Sequence, residues 1–470
     1  MSHLSLAGRD GVLPNYTLLD DNVTLDVGVT WIDPDTSEFQ GEEFSYRRGS
    51  RVALTELAPG ATFYAQGLAV KIDAIDLDQG ESNIQTWQIC PQCGWLGIHP
   101  AGKGATPASS CPRCRTGAIA DVKQSLKVIE LKKVSAEVRR DEASINDARD
   151  ERVRERFTVL AAADINPANV AGAWFMQDRD FGAQYLKRLD LRWLNVGRAT
   201  SQGQKRLIAG VESTTSLFRI CAHCGQLDKA AGRNTREEHR SWCSHRKAAT
   251  EDVREIALAR TLHTQGVLLH LPPQLEYDHF AHPSLSAAVL LGLREVIGGS
   301  PEHLDVATVR DALQAPDRRA LLIHDTVPGG TGYLAEFAHP DRVWSVLAKA
   351  WEVLRTCPCR EEERLACHRC LLPFASPTEL DKVSRTSALK ALSDILGVGG
   401  HHQPEFTDWE ITDVPPHRCP RATSPSCRRI STPASSNGCG STEPRSPRNR
   451  ASTAPERASP CQARRPACGR

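Results

Sequence analysis

No apolar run in this chain approaches the roughly 20 residues that a membrane-spanning helix needs. The opening stretch, MSHLSLAGRDGVLPNYTLLDD, has no basic segment followed by an apolar one. A secretory leader is therefore not expected, and a cytoplasmic location with no membrane partner is. Nucleotide-hydrolysis motifs are missing as well. A phosphate-gripping loop needs G-x4-G-K-[ST], and an acidic box is needed to hold magnesium. The nearest approach, AGKGATP at 101–107, has its Gly, Lys and Thr in the wrong order, and no D-E-A-D or D-E-x-H run occurs. Autonomous ATP hydrolysis is thereby excluded from the expectation.

Charge of one sign is scarce only when the whole chain is averaged. The net charge is +1, but residues from Pro415 onward hold eleven arginines, no lysine and two acids. Residues 1–414 are left with 47 bases and 55 acids. The tail has no Leu, Val, Phe, Tyr, Trp or Met, so it lacks the apolar surface that folding requires. Its Arg, Pro, Ser, Ala and Cys composition is what a GC-rich gene yields when read out of frame. A disordered basic tail is expected; an arm that binds nucleic acid is one reading of it, a frameshift near residue 413 is the preferred one, and no function is read from it.

Cysteine is the residue in surplus. Two methionines and six tyrosines stand against sixteen cysteines, of which eleven precede the tail. All eleven fall in three groups. Cys90, Cys93, Cys111 and Cys114 form C-x2-C-x17-C-x2-C. Cys221, Cys224, His239 and Cys243 form C-x2-C-x14-H-x3-C. Cys357, Cys359, Cys367 and Cys370 form C-x-C-x7-C-x2-C. These twelve side chains are enough for three four-coordinate ions. Zinc takes four thiolate or imidazole ligands in tetrahedral structural sites. Two cysteines two residues apart in a tight turn present both sulfurs to one ion, and Pro91, Gly94 and Pro112 favour such turns.

Alternatives stay open in each group. A disulfide or free thiols compete in the first, although a disulfide framework suits a secreted chain better. His223 and His245 compete with His239 in the second. Iron–sulfur competes with zinc in the third, although the spacing departs from ferredoxin runs. Closed four-ligand sites leave no position for water or substrate, so these sites are expected to build architecture rather than catalyse.

The rest of the chain reads as mixed α and β. Residues 22–88 look strand-like, including RVALTEL at 51–57, with turn signals such as Pro59-Gly60. Residues 136–156 are densely charged and read as an exposed helix or linker. FTVLAAADI, AGAWFM and YLKRLDLRWLNVG read as strands; EDVREIALARTLHTQ and SLSAAVLLGLREVIG read as helices, with GVLLHLP a strand between them. ALLIHD is a short buried strand ending at Asp325. Gly329, Gly330 and Gly332 follow it in a loop whose amides could face an anion, or which simply turns the chain into a helix. In the next helix Trp344, Leu347, Trp351 and Leu354 share one buried face that delivers the chain to Cys357.

The D-x2-PGG-x-G loop at Asp325–Gly332, followed by cysteines at 357, 359, 367 and 370, resembles the MrfA-like zinc-binding domain at the C-termini of bacterial DEAD/DEAH-box helicases. The resemblance is closest over about 275–398. VLPNYTLLDD and RVALTELAPG resemble the region preceding that domain in large helicase-like proteins, and a motorless DISARM-type phage-defence component is similar in outline. The resemblance implies the four C-terminal cysteines as ligands, a helicase motor as partner, a role in handling DNA in repair or phage defence, and no catalytic residue.

The expected fold is α+β, with antiparallel β modules, zinc ribbon and knuckle insertions and a C-terminal α/β zinc-binding domain. The expected segments are a β module with a zinc ribbon (1–122), a charged linker (123–158), a β-rich block with the second zinc site (159–274), the MrfA-like domain (275–398) and the tail (399–470). The expected function is a helicase-associated module that binds three zinc ions and nucleic acid. A protein-binding scaffold, or a nuclease using Asp325 with Glu336, is the alternative. The basic stretches SYRRGSR (45–51) and SQGQKR (201–206) are the candidate phosphate contacts of the body.

Overall fold

The structure is a computed structural model and describes residues 22–78, 83–100, 107–145, 155–176, 178–228, 239–247, 253–299, 302–313, 315–376, 379–398, 403–413 and 415. The opening VLPNYTLLDD, the AGKGAT stretch and the tail from 416 onward lie outside these residues. The expectation of a disordered tail from 399 is corrected over 403–413, where Phe406–Asp408 forms a 3-10 turn and Ile411–Thr412 pairs with the strand Val170–Met176.

Three layers stack in the described part. The middle layer is an eleven-stranded sheet whose long central strand, Val253–His270, pairs antiparallel with Phe181–Asn195 on one side. On the other side it meets Ala315–Asp325 in antiparallel pairing and Ser125–Glu130 in parallel, and its first residues pair antiparallel with Phe218–Cys221. A four-stranded sheet covers one face, in the order Phe39–Gly49, Asn22–Ile32, Lys133–Arg139, Ala74–Ile75. Three helices, Ala281–Ile297, Pro340–Thr356 and Arg385–Leu396, cover the other. Successive strand residues point to opposite faces. Leu321 and Ile323 therefore join the helical core, while Ala320 and Leu322 join the core shared with the small sheet. This two-sided burial is why ALLIHD is apolar without alternation.

The chain passes between the sheets in two residues. Ser125–Glu130 belongs to the large sheet and Lys133–Arg139 to the small one. At the step, the Leu131 amide donates to the Ala259 carbonyl at 3.1 Å and the Thr24 amide to the Lys132 carbonyl at 3.0 Å. Strands from residues 84–130, 159–195, 218–221, 253–325 and 411–412 meet in the large sheet, while Arg198–Ile208 and Val211–Ser216 pair with each other as a separate hairpin.

Three expectations about elements are corrected. Residues 251–265 were expected to be helical, but from Val253 they belong to the central strand. Ala, Leu, Arg and Glu favour a helix locally, yet Ile256 to Arg260 are buried on both faces between paired neighbours, and tertiary pairing overrides propensity. RVALTEL was expected as a strand and forms the helix Ser50–Glu56. Its buried residues, Ala53, Leu54 and Leu57, recur at the helical rather than the two-residue period. The charged stretch 136–156 opens as a strand, Lys133–Arg139, in parallel register with Asn22–Ile32, followed by the one-turn helix Arg140–Ala143. Residues 146–154 lie outside the described set. The helix Pro340–Thr356 behaves as expected: Leu347, Trp351 and Leu354 are buried, Trp344 is partly so, and Trp351 Nε1 donates to Ser393 Oγ at 3.0 Å.

Candidate metal centres

The fold brings each predicted foursome together. In all three groups the four ligand atoms lie within 4.8 Å of one another. Cys90 and Cys114 sulfurs are 3.5 Å apart, and those of Cys93 and Cys111 3.6 Å. In the third group Cys357 lies 3.3 Å from Cys359 and 3.5 Å from Cys367, and Cys370 lies 3.9 Å from Cys359 and 3.6 Å from Cys367. A tetrahedron with metal–sulfur bonds of about 2.3 Å has edges of about 3.8 Å. The clusters therefore leave room for one central ion, not for a core of several irons and sulfides. All eleven cysteines are free of disulfides.

The second group gathers Cys221, Cys224, His239 and Cys243. His239 Nδ1 stands 3.6 Å from Cys224 Sγ and 3.7 Å from Cys243 Sγ. His245 Nδ1 lies 3.4 Å from Cys221 Sγ, at the border of the site. His223 turns outward and is exposed.

Thiol electrostatics fit a dication. In the first cluster the bond from Cys93 pulls the Cys90 thiol down to about 5, and that same bond, with burial, pushes Cys93 far up. Burial pushes Cys221 up to about 12 and Cys370 up to about 11. Burial also opposes ionisation of Cys367, but the Arg369 amide, 3.4 Å from its sulfur, helps to hold it at about 7. Several neighbouring thiolates cannot share so small a buried space unless a cation lies among them.

Two knuckles are built and docked by the same device. In the first, the Gly94 amide donates to the Cys90 carbonyl at 3.1 Å and the Cys90 amide to the Trp95 carbonyl at 2.8 Å. In the second, Gly225 donates to Cys221 at 3.0 Å and Cys221 to Gln226 at 2.9 Å. Both glycines have left-handed φ, +69° each, which an L side chain adopts only with strain. Both also press on a neighbouring strand or its end. A Cβ on Gly94 would stand 2.5 Å from the Ala163 carbonyl oxygen, and one on Gly225 1.9 Å from that of Ile75. The turn at Cys111 has the same two bonds but places Arg115, at φ +61°, in the left-handed position.

An arginine next to a ligand residue, Cys114 in the first centre and His239 in the second, completes each attachment. Arg113 pairs with Asp164 and donates to the Ile165 carbonyl at 3.0 Å. Arg240, only 5% exposed, reaches Asp73 at 2.6 Å, Glu137 at 3.0 Å and Ser135 Oγ at 3.0 Å. The composition signalled the cysteines, but nothing local in the sequence signals these arginine–carboxylate bolts. The third centre is seated differently. Cys357, Cys359 and Cys370 belong to the main helical core, with Leu371, Val383 and Leu392. The second centre's cysteines form a small cluster of their own.

The glycine loop is closed on itself. Asp325, fully buried, accepts from the Val327 amide at 3.0 Å with one oxygen and from the Thr331 amide and hydroxyl with the other. The Gly329 amide donates to the His263 carbonyl at 2.8 Å and Gly330 to Val327 at 3.0 Å. Gly329, Gly330 and Gly332 all have positive φ. These groups serve the turn, so the geometry gives no support to an anion contact there or to metal-dependent cleavage by Asp325 with Glu336. Among the described residues, no further group of metal-ligating side chains comes together.

The body's basic stretches are largely engaged. Arg48 pairs with Glu56, Arg51 with Asp305 and Lys205 with Glu212, while Arg206 is buried; Arg47 is exposed. No described helix is long and apolar enough to cross a membrane.

Comparison with known proteins gives two findings. A structural likeness is found to the crystal structure of the DUF1998 helicase MrfA bound to DNA, at 12% identity and a TM-score of 0.36, over 80% of this chain and 34% of that one. The chain thus spans about a third of that helicase's length. No curated protein sequence matches. The family match covers most of the helix Ala281–Ile297, the strands Leu304–Asp311 and Ala315–Asp325, the glycine loop, the helix Pro340–Thr356 and the third centre. Over residues 285–371, which include Cys357, Cys359, Cys367 and Cys370, the chain matches the family model of the MrfA Zn-binding domain.

Proposed function

We propose that this chain is a zinc-organised, helicase-associated module that holds nucleic acid for an ATP-driven motor carried elsewhere. The observation that carries the reading is the MrfA Zn-binding domain match at 285–371, with its four cysteines converged on one point. The twelve ligands at the three centres are those named from the spacing, with His239 completing the second. All three have closed donor sets, so the metals hold loops against the sheet and do no chemistry. DNA is the proposed ligand, the cytoplasm the proposed location, and DNA repair or phage defence the proposed setting.

The test uses the zinc-loaded full chain with labelled duplex and single-stranded DNA. Band shifts that weaken as salt rises support the reading, because phosphate contacts release counterions. No shift at any salt favours a protein-binding scaffold, and magnesium-dependent cleavage favours a nuclease; either result overturns it.

A further inference from the structure

The second metal centre presents an aromatic platform. Trp242, immediately before Cys243, is 64% exposed, and it alone among the chain's nine tryptophans belongs to the exposed class. Its ring lies 5.6 Å from that of His223, which lies 5.5 Å from that of His245. An exposed indole is free to fold back onto the surface unless its backbone is fixed. Here both flanks are fixed: Arg240 is buried in its ion pairs, Cys243 is buried in the metal cluster, and the Cys243 amide donates to the Arg240 carbonyl at 2.9 Å. The backbone that carries the indole is fixed before any ligand arrives, which lowers the ordering cost of binding.

Charge selects the occupant. Residues 239–247, HRSWCSHRK, contain Arg246 beyond the paired Arg240, and no carboxylate of their own. The other strongly exposed aromatics have acidic neighbours. Tyr277, 89% exposed, sits between Glu276 and Asp278, and Phe39, 74% exposed, follows Glu38 and precedes Glu42 and Glu43. An outward π-face on a segment whose own charged residues are basic suits an unpaired nucleobase on a phosphate backbone.

Resting on the reading above, we infer that the second metal centre is a single-strand contact, with Trp242 stacking on an unpaired base beside His223. This names both the ligand class and a binding residue. The full zinc-loaded chain is tested by fluorescence anisotropy against a short single-stranded DNA, the same sequence as RNA, an abasic strand of equal length, and duplex. Trp242→Ala should weaken binding of the base-bearing strands roughly tenfold, within the range for loss of one stacked base. It should leave the abasic strand, which reports phosphate contacts alone, unchanged. Trp242→Phe should retain most of the affinity, Tyr277→Ala should have no effect, and zinc content should be equal throughout. The DNA and RNA arms identify which strand is preferred. Wild-type affinity in Trp242→Ala overturns the inference alone, as does an equal loss on the abasic strand or an effect confined to assembly with a helicase-bearing chain. Failure of the wild-type protein to bind any strand overturns the nucleic-acid reading itself.

Discussion

Replacing Gly225 with alanine tests whether the knuckles are held by their docking as well as by metal. The left-handed φ costs an L residue about 1–2 kcal/mol. The new Cβ would lie 1.9 Å from the Ile75 carbonyl oxygen, so the strand and the knuckle must separate. The Ile75 amide donates to the Gly225 carbonyl at 3.0 Å, and losing that bond adds about 0.5–1.5 kcal/mol. The combined weakening of the site is about 3 kcal/mol, or roughly a hundredfold in an equilibrium constant. Arg115→Gly is the matched opposite. Relief of its positive φ gains about 1–2 kcal/mol, while the freer unfolded chain returns about 0.4–1 kcal/mol of that. The assay is competition with a chromogenic zinc chelator, read as zinc retained per chain. Gly225→Ala should release one ion at roughly a hundredfold lower chelator, and Arg115→Gly should differ from wild type by less than tenfold. Equal retention by Gly225→Ala and wild type would refute the docking argument.

Three other perturbations follow from the same geometry. Arg240→Ala leaves Asp73 without its buried partner, which should destabilise the second module by about 3–5 kcal/mol and release its ion; unchanged zinc content and melting would contradict this. Cys367→Ser should lose one zinc and raise hydrogen exchange across the helices Ala281–Ile297, Pro340–Thr356 and Arg385–Leu396 more than in Asn22–Ile32, since the third centre sits in the helical core; uniform exchange would count against it. Burial, with Arg51 and Arg260 nearby, holds the His324 imidazole down at about 3. A depressed folded value means stability that is complete above the unfolded value of about 6.5 and lost as pH falls toward 3. The loss approaches about 1.4 kcal/mol per pH unit. His324→Phe should flatten that acid slope between about pH 6.5 and 5, and an unchanged slope would contradict the assignment.

The metal centres were legible because their constraint is local. A C-x2-C turn needs a small residue or a tolerated left-handed position just after it, and Pro91, Gly94 and Gly225 advertise that in the sequence. The last helix was legible for the same reason, since Trp344, Leu347, Trp351 and Leu354 repeat at a helical period. The central strand Val253–His270 was not, because burial on both faces erases the alternation that marks a strand. Arg113 with Asp164 and Arg240 with Asp73 were hidden too. Nothing near an arginine in sequence says which carboxylate it will meet, here 51 and 167 residues away. The glycines of the Asp325 loop left two readings open in the sequence, an anion contact or a tight turn into a helix. The Asp325 carboxylate and the Gly329 and Gly330 amides are bonded to the loop and its neighbouring strand, as a turn requires.

The account stands most directly on the metal content of the purified full chain after exposure to a competing chelator. Elemental analysis with zinc X-ray absorption should find three tightly held zinc ions, with an average shell of eleven sulfurs to one nitrogen over the twelve ligands. One tightly held zinc or fewer, or an iron signal in place of zinc, would contradict it.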